Sequence, residues 1–162
     1  MSDKEEIRNL VEKYADAVCR RDEKDWSSTW HENAVWDLGS MPPVEGKKAI
    51  VELWVQAMSG FPFAGQLIQN GTVVVDGDKA TGRWYITEHL QFAEKDDAGN
   101  PTGMFNIGVY QDRYVRENGE WLFSERHYGV LYNDGGKGNM SGTVNPYPCL
   151  LYTSDAADDT LW

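Results

Sequence analysis

Four long runs of alternating residues in the second half of the chain constrain its fold more than any other feature. Gln66 to Val75, Ala80 to Phe92, Phe105 to Arg116 and Trp121 to Tyr132 read as strands, and "DGDK", "EKDDAGNPTG" and "ENGE" supply the turns between them. Strands joined this closely pair antiparallel, and the apolar face that alternation creates has to be covered. The first half of the chain has a helical period and provides the cover. Ser2 and Glu5 form a capping box, after which Ile7, Leu10, Val11, Tyr14, Ala15 and Val18 recur at helical spacing to about Arg21. Asp22 can cap a short second helix carrying Trp26, Thr29 and Trp30. "NAVWDLG", Asn33 to Gly39, reads as a short strand, and "MPPVEG" breaks the chain. Ala49, Ile50, Leu53, Trp54, Ala57 and Met58 then form the stripe of a third helix, which "GFPF" ends. The class is therefore α+β: three N-terminal helices packed on the concave face of a curved, mostly antiparallel sheet.

A chain of 162 residues, 41% hydrophobic and 25% charged, suits one domain with a real core. Its net charge of −11 argues against nucleic acid and anionic membrane as partners. No apolar run approaches the roughly 18 residues of a membrane span. The acidic, polar opening "MSDKEEIRNL" is unlike a signal peptide, so a cytoplasmic protein is expected. Cys19 and Cys149 make neither a disulfide framework nor a metal knuckle. No His, Asp and Glu cluster has metal-ligand spacing, and no glycine-rich phosphate loop follows a strand; no metal and no cofactor are expected.

"NDGGKGNMSG", Asn133 to Gly142, is dense in turn residues, so regular structure should stop near Tyr132. The expected organisation is a domain over 1–132, an irregular segment over 133–148, and a tail over 149–162. "CLLYTSDAADD", Cys149 to Asp159, back-translates to a run that resembles the transposase adapter of short-read library preparation. The tail is read as adapter read-through or as disordered chain and is given no functional weight.

The segments "IRNLVEKYADAVCRRD", "WSSTWHENAVWDLG", "VEGKKAIVELW", "NGTVVVDGDKATGRWYITEHL" and "YQDRYVRENGEWLFSERHYGVLY", in that order, resemble the SnoaL-like branch of the nuclear-transport-factor-2-like superfamily. The resemblance covers about Glu5 to Tyr132 and implies a cone-shaped α+β barrel with a deep, mostly apolar pocket. Relatives include scytalone dehydratase, hexachlorocyclohexane dehydrochlorinase, ketosteroid isomerase and limonene epoxide hydrolase, so a small hydrophobic ligand is implied more strongly than one reaction.

The dehydratase and dehydrochlorinase move protons with an Asp–His pair. Those positions resemble Cys19 and Leu67 here, and neither residue can do that work. Cys19 is expected to be a small buried thiol. Tyr14 matches the oxyanion-stabilising tyrosine of the isomerase, Asp112 resembles its protonated aspartic acid, and its base position falls at Asp37 or Leu38.

Within "RWYITEHLQF", strand parity separates Glu88 from His89. Trp84, Ile86 and Leu90 share a face with Glu88, and that face is apolar except for the carboxylate, so it should line the pocket. A carboxylate on an apolar wall suits a general acid or base; the competing possibility is a structural ion pair with Arg126. His89 then faces away. On the next strand Asn106, Gly108, Tyr110 and Asp112 should face the pocket, with Phe105, Ile107 and Val109 on a back face suited to a homodimer or higher homo-oligomer formed through the sheet. On the last strand Ser124, Arg126 and Tyr128 should face inward.

The expectation is a cofactor-independent enzyme of isomerase, dehydratase, cyclase or epoxide-hydrolase type acting on a small hydrophobic molecule. Glu88, Tyr14 and Asp112 are its candidate catalytic residues. Cys19, Trp30, Trp36, Leu38, Leu67, Gln69, Trp84, Ile86, Leu90, Tyr110, Arg126 and Tyr128 are its candidate pocket residues. The alternatives are a non-catalytic binding protein for a small hydrophobic ligand and a dimerising interaction module.

Overall fold

In a computed structural model describing residues 1–136, 143–146 and 148–149, the helices come first and the sheet follows. Helix α1 spans Asp3–Arg20, α2 Glu23–Ser28 and α3 Lys47–Ser59; strand β1 spans Trp30–Asp37, β2 Val44–Glu45, β3 Phe63–Asp76, β4 Lys79–Lys95, β5 Pro101–Glu117, β6 Glu120–Asn133 and β7 Thr143–Val144. The capping box at Ser2 and Glu5 is formed, and Arg21, in the left-handed conformation, closes α1. Asp22 caps α2 by accepting from the Asp25 N–H. Trp30, expected on α2, already opens β1. On α3 only Ile50, Trp54 and Met58 are buried; Ala49 and Ala57, expected in its stripe, face out.

The sheet order is β2-β1-β6-β5-β4-β3, with β7 added to β6. All pairings are antiparallel except β1 with β6. The short strand β7, opposite Tyr132 and Asn133, carries regular pairing beyond the point where the turn-rich sequence is expected to end it. Residues 150–162, the bulk of the suspected tail, lie outside the described residues.

The helices lie on the concave face and bury an aromatic cluster. Trp26 stacks on Trp54 at 4.7 Å, and Trp30 and Trp36 close around Trp26 at 5.5 and 5.4 Å. Tyr14 from α1 packs edge-on against Phe123 of β6 and Tyr110 of β5. The convex face is partly closed by the chain itself. Asn145 bonds to the carbonyls of Leu131 and Val130, Gln111 donates to the Cys149 carbonyl, and Pro148 sits over Gly129. Val109, expected to be free for a partner copy, is fully buried.

Candidate functional site around Glu88

Register decides which side chains reach the concave interior. Glu88 lies opposite Gln66 on β3 and Asn106 on β5, and Asn106 lies opposite Asn133 on β6. One level further along, Ile68, Ile86, Gly108 and Val130 form the next row, and Trp84, Tyr110 and Tyr128 the one beyond. Glu88 is therefore an inward carboxylate at one edge of an apolar and aromatic wall. His89 points outward, is exposed and packs on Phe105 at 4.8 Å.

The half-buried Glu88 carboxylate is held by neutral donors. Gln66 Nε2 donates to Oε1 at 3.0 Å, the Tyr128 hydroxyl to Oε2 at 2.8 Å, and Asn106 Nδ2 lies 3.5 Å from Oε2. Asn133 Nδ2 donates to Asn106 Oδ1 at 2.6 Å and so turns the Asn106 amide towards Glu88. Tyr128 reaches the carboxylate because its ring crosses Gly108, where a Cβ would collide with it. Burial, followed by the charge of Glu88 and the hydrogen bond to it, pushes the Tyr128 hydroxyl well above the usual tyrosine range, so Tyr128 keeps its proton.

Deeper in the wall lies a second polar group, closed to solvent. Arg126 Nε and Nη2 donate to the two oxygens of Asp112 at 2.9 and 3.1 Å, and the Tyr114 hydroxyl donates to Oδ2 at 2.8 Å while accepting from Trp84 Nε1 at 2.8 Å. The Arg126 guanidinium is sandwiched between the rings of Tyr110, Phe123 and Tyr14, 3.8, 4.1 and 4.2 Å from their centroids. Burial opposes its charge, but Asp112 and the neighbouring tyrosines more than offset this and raise its pKa. Burial pushes the Asp112 carboxyl up, against the pull of Arg126. Both residues are fully buried, so this is a structural pair.

Several expected roles are corrected by this arrangement. Asp112 has both oxygens occupied and is closed to solvent, so it is not placed to meet a substrate. Arg126 is the partner of Asp112, not of Glu88. Tyr14 is buried among rings with its hydroxyl 3.5 Å from that of Tyr110, and Trp30 and Trp36 belong to the packed tryptophan cluster. Leu38 is half-buried against that core. Cys19 is exposed, not buried. Its thiol accepts from the Gln66 N–H at 3.3 Å and donates to the Gln66 carbonyl at 3.4 Å, satisfying the free edge of β3. Leu67 is 55% exposed and Gln69 reaches Thr87, both on the outer face. Ser124 is displaced from the interior by a bulge, and Phe123 takes its place.

Trp84, Ile86, Leu90, Tyr110 and Tyr128 do line the concave side with Glu88. The members of the Glu88 hydrogen-bond network missed by the sequence are Gln66 and Asn133. Each lies just past a bulge, which hides its inward parity in the sequence. A separate open concavity of about 820 Å³, lined in part by His31, Val35, Val74 and Thr81, also contains the Arg113–Glu125 pair and is backed by the buried Tyr114.

Helices on the concave face of an open, curved sheet, with an inward polar group on an apolar wall, define the nuclear-transport-factor-2-like class of α+β proteins. The SnoaL-like domain model matches residues 1–127, and the chain belongs to that family. An uncharacterised Mycobacterium tuberculosis protein, Rv2910c, is 27% identical over 128 residues, covering 78% of this chain and 84% of that protein. Among solved structures, the LinA-type3 hexachlorocyclohexane dehydrochlorinase of Novosphingobium barchaimii has a TM-score of 0.73 at 19% identity, covering 88% of this chain and 94% of that one. A candidate scytalone dehydratase of Novosphingobium aromaticivorans has a TM-score of 0.73 at 14% identity, covering 82% and 86%. At these identities the likeness concerns the fold. No helix among the described residues is long and apolar enough to cross a membrane.

Proposed function

We propose that this protein is a cofactor-independent acid–base enzyme for a small apolar molecule, with Glu88 as the group that accepts and returns the proton. The observation that carries this reading is the setting of Glu88: a half-buried carboxylate on an apolar wall, fixed by three neutral donors and engaged in no ion pair among the described residues. A carboxylate fixed in this way is oriented without being neutralised, which suits a general base. Tyr128, protonated and 2.8 Å away, is placed to follow the charge as the proton moves. The names of two solved structures of the same fold, a dehydrochlorinase and a candidate dehydratase, both denote eliminations, and they support an acid–base class of reaction.

The test is carbon-bound proton exchange. A small cyclic ketone incubated with the protein in deuterium oxide should exchange its acidic C–H by proton NMR, and Glu88→Gln should lose that exchange. Equal exchange in both proteins removes Glu88 from the chemistry. A second reading, a binding protein without turnover, is favoured because Cys19 is exposed and bound to the β3 backbone and Leu67 lies on the outer face, so neither stands in for an Asp–His pair in the interior. It predicts ligand-induced melting shifts with no exchange in either protein.

A further inference from the structure

We infer that the ligand brings a protonated nitrogen to Glu88: the site is built for a small apolar amine in its ammonium form. This deepens the reading above, by naming a substrate class, and rests on Glu88 being the group that meets the ligand. An ionised carboxylate only accepts hydrogen bonds, so the Gln66 amide must turn its NH₂ towards Glu88 Oε1. The same rotation forces Gln66 Oε1 away from the carboxylate, and that oxygen is buried with no donor. Gln66 is 4% exposed, so a missing donor there is costly. Two kinds of acceptor, a carboxylate without a counter-cation and the orphaned oxygen of the amide bonded to it, thus belong to one hydrogen-bonded pair.

The groups around them are neutral. Tyr128, Asn106 and Asn133 donate or relay, and no cation reaches Glu88 among the described residues. The pair therefore lacks a group that donates to both acceptors and carries positive charge. A primary ammonium supplies three N–H donors and that charge. The chain's net negative charge, which remains when the three aspartates of the tail are set aside, draws cations towards it and repels anions.

The probe is benzylamine, titrated calorimetrically at neutral pH and low salt against benzyl alcohol and benzoate, with wild type, Glu88→Gln and Gln66→Met. The expected result is that benzylammonium binds wild type at least about tenfold tighter than benzyl alcohol, that benzoate does not bind, and that Glu88→Gln loses about tenfold for the amine alone. Gln66→Met removes the orphan oxygen and should also weaken the amine selectively, which covers the case of a Glu88 variant that fails to fold. Equal binding of amine and alcohol overturns the proposal, as does undiminished amine binding by both variants, or no amine binding at all. Amine binding in a protein that shows no proton exchange would instead overturn only the catalytic reading.

Discussion

In the proposed reaction the chemistry turns on Glu88 and Tyr128, and Tyr128 makes its own prediction. Replacing Tyr128 by Phe keeps the ring over Gly108 but removes a donor to Oε2, so turnover should fall roughly tenfold, the kinetic equivalent of one charge-assisted hydrogen bond. Steady-state rates measure it. Burial raises the hydroxyl pKa of Tyr14, Tyr110, Tyr114 and Tyr128 above the ordinary value. A raised pKa in the folded state means that these groups hold protons the unfolded chain would release above about pH 10. Their contribution to stability is whole below that pH and is lost as pH rises beyond it. A spectrophotometric titration should therefore leave at least four of the eight tyrosines silent until the fold opens.

At the scale of the element, β-bulges explain both what the sequence reveals and what it hides. The strands, their turns and the inward parity of β4 and β5 were legible because alternation there is unbroken from Trp84 to Leu90 and from Asn106 to Tyr114. On β3, Val73 and Val75 pack on the core while Val74 is exposed. Strict alternation counted back from them puts Gln69 and Leu67 inside. One extra residue between Ile68 and Gly71 reverses that parity and brings Gln66 to Glu88 instead. On β6 two more bulges swap Ser124 for Phe123 and turn Asn133 inward. Bulges leave little trace in a single sequence, so the amide neighbours of Glu88 could not be read from it. Gly108 tests this register. A methyl group there meets the Tyr128 ring, so Gly108→Ala should displace Tyr128 from Glu88, lower turnover at least as much as Tyr128→Phe, and cost about 1–3 kcal/mol in a urea melt.

On the scale of the whole molecule, the aromatic interior and the Asp112–Arg126 pair hold the cone together, while Glu88 sits apart at its polar edge. The buried pair is bidentate and caged by rings, so Arg126→Met, which strands Asp112 as a buried carboxylate, should destabilise the fold by about 3–5 kcal/mol in urea denaturation. Glu88→Gln should leave stability nearly unchanged, because its partners are neutral and the amide can reuse them. Stability and chemistry should thus separate between the two carboxylates, the reverse of what equal catalytic roles for Asp112 and Glu88 would give. The most direct measurement is turnover of a nitrobenzisoxazole, a small apolar substrate whose ring opens when a base removes its C–H. Wild type should catalyse the opening, and Glu88→Gln, folded by circular dichroism, should be slower by on the order of a hundredfold or more. Equal rates in the two proteins would contradict the assignment of Glu88 as the base.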